Sequence, residues 1–204
     1  MLDKILFWDT YLFRLINHAR CSFLDYVLPV FSMHFSIGVV VVLITFFAIK
    51  QNHFKKWYIY IAVIGLCFLF ADRISVMCFK DVFQRLRPCQ ALEDAYTLKI
   101  SHFHYITTNK GGLYGFVSSH AANTFSIITA MSLIMKNNKY FKPFFISLLS
   151  WGIITGYSRV YCGYHYPLDV ICGTLLGMLI GWFVYKIFMF TDRKIKTIKT
   201  LKTE

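Results

Sequence analysis

The chain has 204 residues, a formal net charge of +12, 57% hydrophobic residues and only 16% charged ones. Soluble domains carry about 25% charged residues, so water is a poor solvent for a chain of this composition. Lipid is a suitable one, because it accepts apolar side chains on the outside of a fold as well as within it.

Residues 2–30 carry apolar positions at helical spacing, with Asp3, Lys4, Asp9, Arg14, Arg20 and Asp25 between them. Two readings fit: an amphipathic helix lying in the membrane interface, or a sixth, shorter span. No signal peptide with a cleavage site is evident. Beyond this first region, 1–31, apolar blocks predict spanning segments at about 32–49, 57–79, 119–136, 143–162 and 167–190, each near the roughly 20 residues a bilayer requires. The expected fold class is all-α, a polytopic bundle of five to six membrane helices forming one membrane-embedded domain over 1–204. The six cysteines show neither metal-ligand spacing nor a disulfide framework.

The basic residues fall in a pattern. Lys50, Lys55 and Lys56 follow the first span, and Lys136, Lys139 and Lys142 join the third to the fourth. Lys186, Arg193, Lys194, Lys196, Lys199 and Lys202 end the chain, in or beside a basic tail at 191–204. Alternating spans put all of them on one side, which the positive-inside rule makes cytoplasmic. No folded basic surface is apparent, so a nucleic-acid partner is not expected. The connection after Pro88 and the stretch Ser158 to Asp169 then face the other way.

Three polar clusters lie on that other face. In Lys80 to Pro88, KDVFQRLRP, Lys80 and Arg87 are seven residues apart, two turns and about 10 Å along one helix face. Arg73 continues the stripe, and Pro88 is expected to end the helix at Arg87. Taken alone, the stripe also fits cations that snorkel to anchor a span. In Gly115 to Phe125, GFVSSHAANTF, Ser118 or Ser119 can cap a helix whose free N–H groups suit an anion, with His120 beside them. In Ser158 to Asp169, SRVYCGYHYPLD, His165 and Asp169 stand at i and i+4, the spacing of a carboxylate–imidazole hydrogen bond. That bond fixes the tautomer and frees the second ring nitrogen for attack. Ionisable groups at membrane depth point to function, and this inventory suits phosphoryl transfer: cations for the oxygens, one histidine to attack and one to protonate the leaving group.

At these residues the sequence resembles the type 2 phosphatidic acid phosphatase (PAP2) family, membrane relatives of class A acid phosphatases. The family's lysine, six residues, Arg-Pro motif is met by Lys80 and Arg87-Pro88. Its Pro-Ser-Gly-His motif reads Val117-Ser118-Ser119-His120. Its Ser-Arg, five residues, His, three residues, Asp motif is met by Ser158, Arg159, His165 and Asp169. The resemblance implies His165 as a nucleophile that forms a phosphohistidine, oriented by Asp169. It implies His120 as the acid for the leaving lipid oxygen and then the base for water. Lys80, Arg87 and Arg159, with Ser118 and the backbone at Ser119, would hold the phosphate. No metal and no cofactor is implied. Ser119 adds a side chain where glycine lets the backbone approach phosphate, and Val117 lacks the fixed φ of proline, so this loop is expected to differ from the family's.

The implied substrate is a phosphate of a membrane lipid, and undecaprenyl diphosphate is the first expectation. A lipid A phosphate, phosphatidylglycerol phosphate and phosphatidic acid are the alternatives. The enzyme would sit in the bacterial inner membrane with its site on the extracytoplasmic side. Tyr96, Phe103, Tyr105 and Tyr114 of the long connection line a substrate entrance or form an interfacial belt. Two other classes compete. A transporter or channel would use Asp72, Arg73, His120 and Asp169 as an ion path, without the inverted repeats such folds carry. A haem or metal protein would use His102, His104, His120 and His165.

Overall fold

The computed structural model describes residues 1–31, 33, 38, 40, 42, 44, 57–101, 104–106 and 112–201. Helices α1 (Leu2–His18) and α2 (Ser22–Phe31) open the chain. The expected span at 32–49 lies mostly outside the described residues, but Val40 and Ile44 are helical and buried in the core. There follow α3 (Trp57–Ile74), a π-helical turn (Ser75–Lys80) and α4 (Asp81–Phe83) as one rod. The rest comprises α5 (Pro88–Ala91), α6 (Ser119–Met135), α7 (Phe141–Tyr161) and α8 (Pro167–Leu201).

One departure from an all-helical chain is a hairpin in the long connection, with β1 (Lys99–Ser101) antiparallel to β2 (His104–Ile106). The KIS and HYI triplets carry the β-branched and aromatic residues that suit a pleated edge. His102 and Phe103, between the strands, lie outside the described residues.

Helix α6 is the centre of the bundle. Its Ala122, Ile127, Ile128, Ala130 and Met131 are buried among Cys67, Ala71, Phe144, Leu148, Ile180 and Val184 of its neighbours. Its closest partner is α8, and glycine is the reason. A Cβ at Gly173, Gly177 or Gly181 would collide with the carbonyl oxygens of Ser118, Ala122 and Ser126 respectively. The three contacts advance four residues at a time in the same direction on both chains, so the two helices run parallel. Small residues on a four-residue repeat are the usual means of such close approach between membrane helices. The seam brings the amino ends of α6 and α8 to one end of the bundle, where Ser118 N–H donates to the Asp169 carbonyl at 3.0 Å.

Helix α1 buries Asp9, Phe13 and Asn17, one stripe at four-residue spacing. Among the described residues, the partners of that stripe belong to the same end of the bundle. Phe13 packs on Val160 and Tyr166. Asn17 donates to the carbonyls of Tyr96 and Tyr161. Asp9 accepts from Leu168 N–H. Helix α1 therefore lies across the end of the bundle, with Ile5, Phe7, Trp8, Leu12 and Leu15 exposed on its other faces.

By length and composition, Tyr58–Phe83 and Pro167–Thr191 are long and apolar enough to cross a bilayer. The expected segments 119–136 and 143–162 appear as α6, of 17 residues, and α7, of 21.

Candidate active site

The first cationic segment does not end as its sequence suggests. The helix stops at Phe83, because Gln84 adopts a left-handed φ of 47°. Arg85 to Arg87 then run extended beside Leu113 to Gly115, with Gly115 N–H donating to the Arg85 carbonyl at 2.8 Å and Arg87 N–H to the Leu113 carbonyl at 3.1 Å. Pro88 opens the short helix α5 rather than closing a long one, the position where a missing N–H is harmless. Lys80 and Arg87 thus meet through a chain reversal, not along one helix face.

Arg73 is also displaced. In an uninterrupted α-helix it would lie about 20° from Lys80, and Asp72 about 80° away. The π-helical turn at Ser75–Lys80 adds one residue to the turn. Lys80 consequently faces inward with Asp72 and Phe68, and Arg73 is exposed.

These rotations create one cavity of about 180 Å³, lined by Phe68, Asp72, Lys80, Arg87, Ser119, His120, Asn123, Arg159 and His165. Six of the residues that the sequence suggests for phosphate chemistry, Lys80, Arg87, Ser119, His120, Arg159 and His165, thus share one enclosure. Each cation is held. Lys80 Nζ donates to Ser119 Oγ at 2.6 Å, and Ser119 Oγ lies 2.7 Å from Ser75 Oγ. Ser75 already donates its single proton to the Asp72 carbonyl. Ser119 must therefore donate to Ser75, which turns its lone pairs to the Lys80 ammonium. Arg87 Nε donates to the Tyr114 carbonyl at 3.1 Å. Arg159 stacks 4.6 Å from the Tyr164 ring centroid, and its Nε has no hydrogen-bond partner among the described residues.

Ser118 and Asp169 stand just behind the cavity wall. Ser118 is the N-cap of α6, accepting from Ala121 N–H. Val117 beside it, where the family carries proline, is fully buried. Asp169 Oδ2 lies 3.5 Å from His165 Nδ1, an ion-pair distance rather than a close hydrogen bond. The same oxygen accepts from Tyr166 N–H at 3.0 Å. His165 precedes α8, so the loop, not helical periodicity, sets this pair. Gly115 makes room for it, since a Cβ there would sit 3.0 Å from Asp169 Oδ2.

His165 is 1% exposed. Burial pushes its pKa well below the ordinary histidine value, helped by the positive charges of Arg159, Arg87 and Lys80. The ring is therefore neutral at physiological pH, with its nitrogen lone pair available. Burial likewise raises the Tyr164 phenol to about 12, so it remains protonated beside Arg159.

Sequence reasoning overlooked Arg85, Asp9 and Ser75. Arg85 Nη1 donates to Asp169 Oδ1 at 2.7 Å and Nη2 to Asp9 Oδ2 at 2.6 Å. The available signal for Asp9 was a lone carboxylate on the apolar stripe of α1, four residues before Phe13. The competing readings find less support. Among the described residues no group of three or more His, Cys, Asp and Glu gathers as metal ligands. Of the residues an ion path would use, Asp72 and His120 line the same cavity and Arg73 is exposed, above an apolar core of Ile127, Met131, Ile180 and Val184.

Residues 66–193 match the sequence profile of the PAP2 superfamily. The chain belongs to the PAP2 superfamily. It is 31% identical to the lipid A 4'-phosphatase of Bacteroides thetaiotaomicron over 87% of this chain and 75% of that one. It is 27% identical to the lipid A 4'-phosphatase of Porphyromonas gingivalis over 93% and 76%, and 22% identical to the undecaprenyl-diphosphatase BcrC of Bacillus subtilis over 84% and 77%. Among solved structures, LpxE of Aquifex aeolicus superposes with a TM-score of 0.60 at 26% identity, covering 87% of this chain and 94% of that one. A phosphatidylglycerolphosphate phosphatase from B. subtilis shares the fold, with a TM-score of 0.66 at 19% identity over 94% and 88%. The PAP2 chain described here is a membrane lipid phosphatase.

Proposed function

We propose that this PAP2 enzyme hydrolyses a phosphate monoester of lipid A, releasing phosphate, at the outer face of the bacterial inner membrane. The observation that carries the chemistry is the convergence of Lys80, Arg87, Arg159, His120 and His165 on one phosphate-sized cavity. His165 Nδ1 faces Asp169, which leaves Nε2 to attack phosphorus. The phosphorus–oxygen bond to the lipid breaks, and the leaving alkoxide takes a proton from His120. His120 then accepts a proton from water, the resulting hydroxide attacks the phosphohistidine, and phosphate and neutral His165 are released. Lys80, Arg87 and Arg159 neutralise the three equatorial oxygens, where charge is greatest in the transition state. Ser118 caps α6, so that the Ser119 N–H and its neighbours point toward the anion.

Lipid A takes precedence over undecaprenyl diphosphate, the first expectation from sequence, because the lipid A 4'-phosphatase relatives match at 31% and 27% identity over most of the chain. The orientation is supported by Lys136, Lys139 and Lys142, which follow the carboxyl end of α6, opposite the site. Five membrane-crossing helices, with α1 flat in the outer interface, agree with the packing of α1, among the described residues, against the site end.

A panel of lipid A, undecaprenyl diphosphate, phosphatidylglycerol phosphate and phosphatidic acid in detergent micelles tests this reading. The expected result is the highest kcat/KM on lipid A and a loss of at least about a thousandfold in His165→Ala. Preferred turnover of undecaprenyl diphosphate overturns the substrate. Phosphate release that survives His165→Ala overturns the nucleophile.

A further inference from the structure

We infer that Asp9 and Arg85 are positioning residues for this reaction, forming an ion-pair relay from α1 to the Asp169 carboxylate that sets the charge and place of His165. The inference rests on the proposal that His165 is the nucleophile.

The allocation of donors carries it. Asp169 Oδ2 is shared between Tyr166 N–H and the long contact to His165. Its other oxygen takes the close bond from Arg85. The carboxylate is thus fixed by Arg85 and the backbone, which holds its Oδ2 3.5 Å from His165 Nδ1. Arg85 is fixed in turn, because its second nitrogen grips Asp9 and its guanidinium lies 4.1 Å from the Tyr166 ring centroid. Asp9 completes the chain by accepting Leu168 N–H, in the first turn of α8, at 2.8 Å. The Asp9 and Asp169 side chains are 4% and 0% exposed and that of Arg85 20%, so water screens the relay little.

Charge explains why a second carboxylate belongs there. As His165 bonds to phosphorus its ring becomes cationic, and Asp169 must supply the compensating negative charge. One guanidinium bound to Asp169 alone would neutralise it. Because Asp9 takes half of the Arg85 fork, the three groups carry a net charge of about −1. Asp169 keeps its field for the imidazolium. Loss of Asp9 therefore weakens the transition state rather than substrate binding, and the active site depends on the seating of α1.

Full-length protein in detergent micelles with lipid A as substrate provides the test. Asp9→Asn preserves shape and removes charge. It is expected to lower kcat about tenfold with KM within about twofold. Inhibition by vanadate, whose five-coordinate form mimics the transition state, should weaken by the same factor, and inhibition by inorganic phosphate should not change. Inhibition constants do not depend on the folded fraction, so a merely structural role would leave both untouched. Asp9→Asn combined with Arg85→Gln should be no slower than the slower single variant, rather than showing the product of both losses. Arg14→Gln, which breaks the exposed pair with Asp94 on the same helix, should retain wild-type kcat. An unchanged vanadate constant in Asp9→Asn, or multiplicative losses in the double variant, overturns the relay. Activity remaining in His165→Ala overturns instead the reading on which it rests.

Discussion

The two ends of the α6–α8 seam are held together by opposite kinds of interaction. At the site end, His165, Asp169 and Arg159 are almost wholly buried and fixed by ion pairs, ring stacking and backbone donors. At the far end, Ile127, Met131, Ile180 and Val184 meet through shape alone. Burying charge carries a desolvation penalty that the pairing offsets only when geometry is good. The far end carries no such penalty, and with the glycine contacts it fixes the distance between helices. Stability and catalysis are therefore expected to separate along the length of one helix pair.

Substitutions at the two ends should therefore have different signatures. The largest effect on folding is expected from Met131→Ala, which leaves a cavity at the apolar end and costs about 3 kcal/mol. Thermal unfolding in detergent should report it, with kcat per folded molecule unchanged. A parallel loss of kcat would break the separation. Ser119→Ala reverses the signature. It removes the hydroxyl that holds the Lys80 ammonium, a charge-assisted bond, and should lower kcat/KM about tenfold while leaving the melting temperature almost unmoved. The smallest effect concerns pH. His165 has a folded-state pKa below its unfolded value of about 6.5, so the stability tied to its neutral form is complete above that pH and falls as the solution is acidified. Melting temperature followed from pH 7.5 downward should decline less steeply in His165→Gln than in the wild type. Identical slopes would show that the ring is not held neutral.

Much of this arrangement was legible in the sequence. Ser158, Arg159, His165 and Asp169 lie on two helix ends joined by a short loop, so their spacing alone confines them to one neighbourhood. The cap at Ser118 followed from a polar pair before an apolar run. Lys80 and Arg87 do line one cavity with His120 and His165, but not by way of the shared helix face that their spacing suggested. Periodicity assumes an unbroken helix, and neither the extra residue near Ser75 nor the left-handed Gln84 leaves a periodic mark. Asp9 and Arg85 were hidden for another reason. They are 76 residues apart, and an isolated carboxylate on an amphipathic helix looks like a solvated one until its partner is known. The Ser119 hydroxyl showed in the sequence only as a departure from a family glycine. Packing gives it a purpose, as an acceptor for Lys80.

The additional residue in the Ser75–Lys80 turn separates spacing in the chain from direction in space. One backbone unit gained or lost there swings an ammonium group toward the lipid headgroup or away from it, with no side chain exchanged. A change of one residue in the length of this helix would thus change which charges line the cavity.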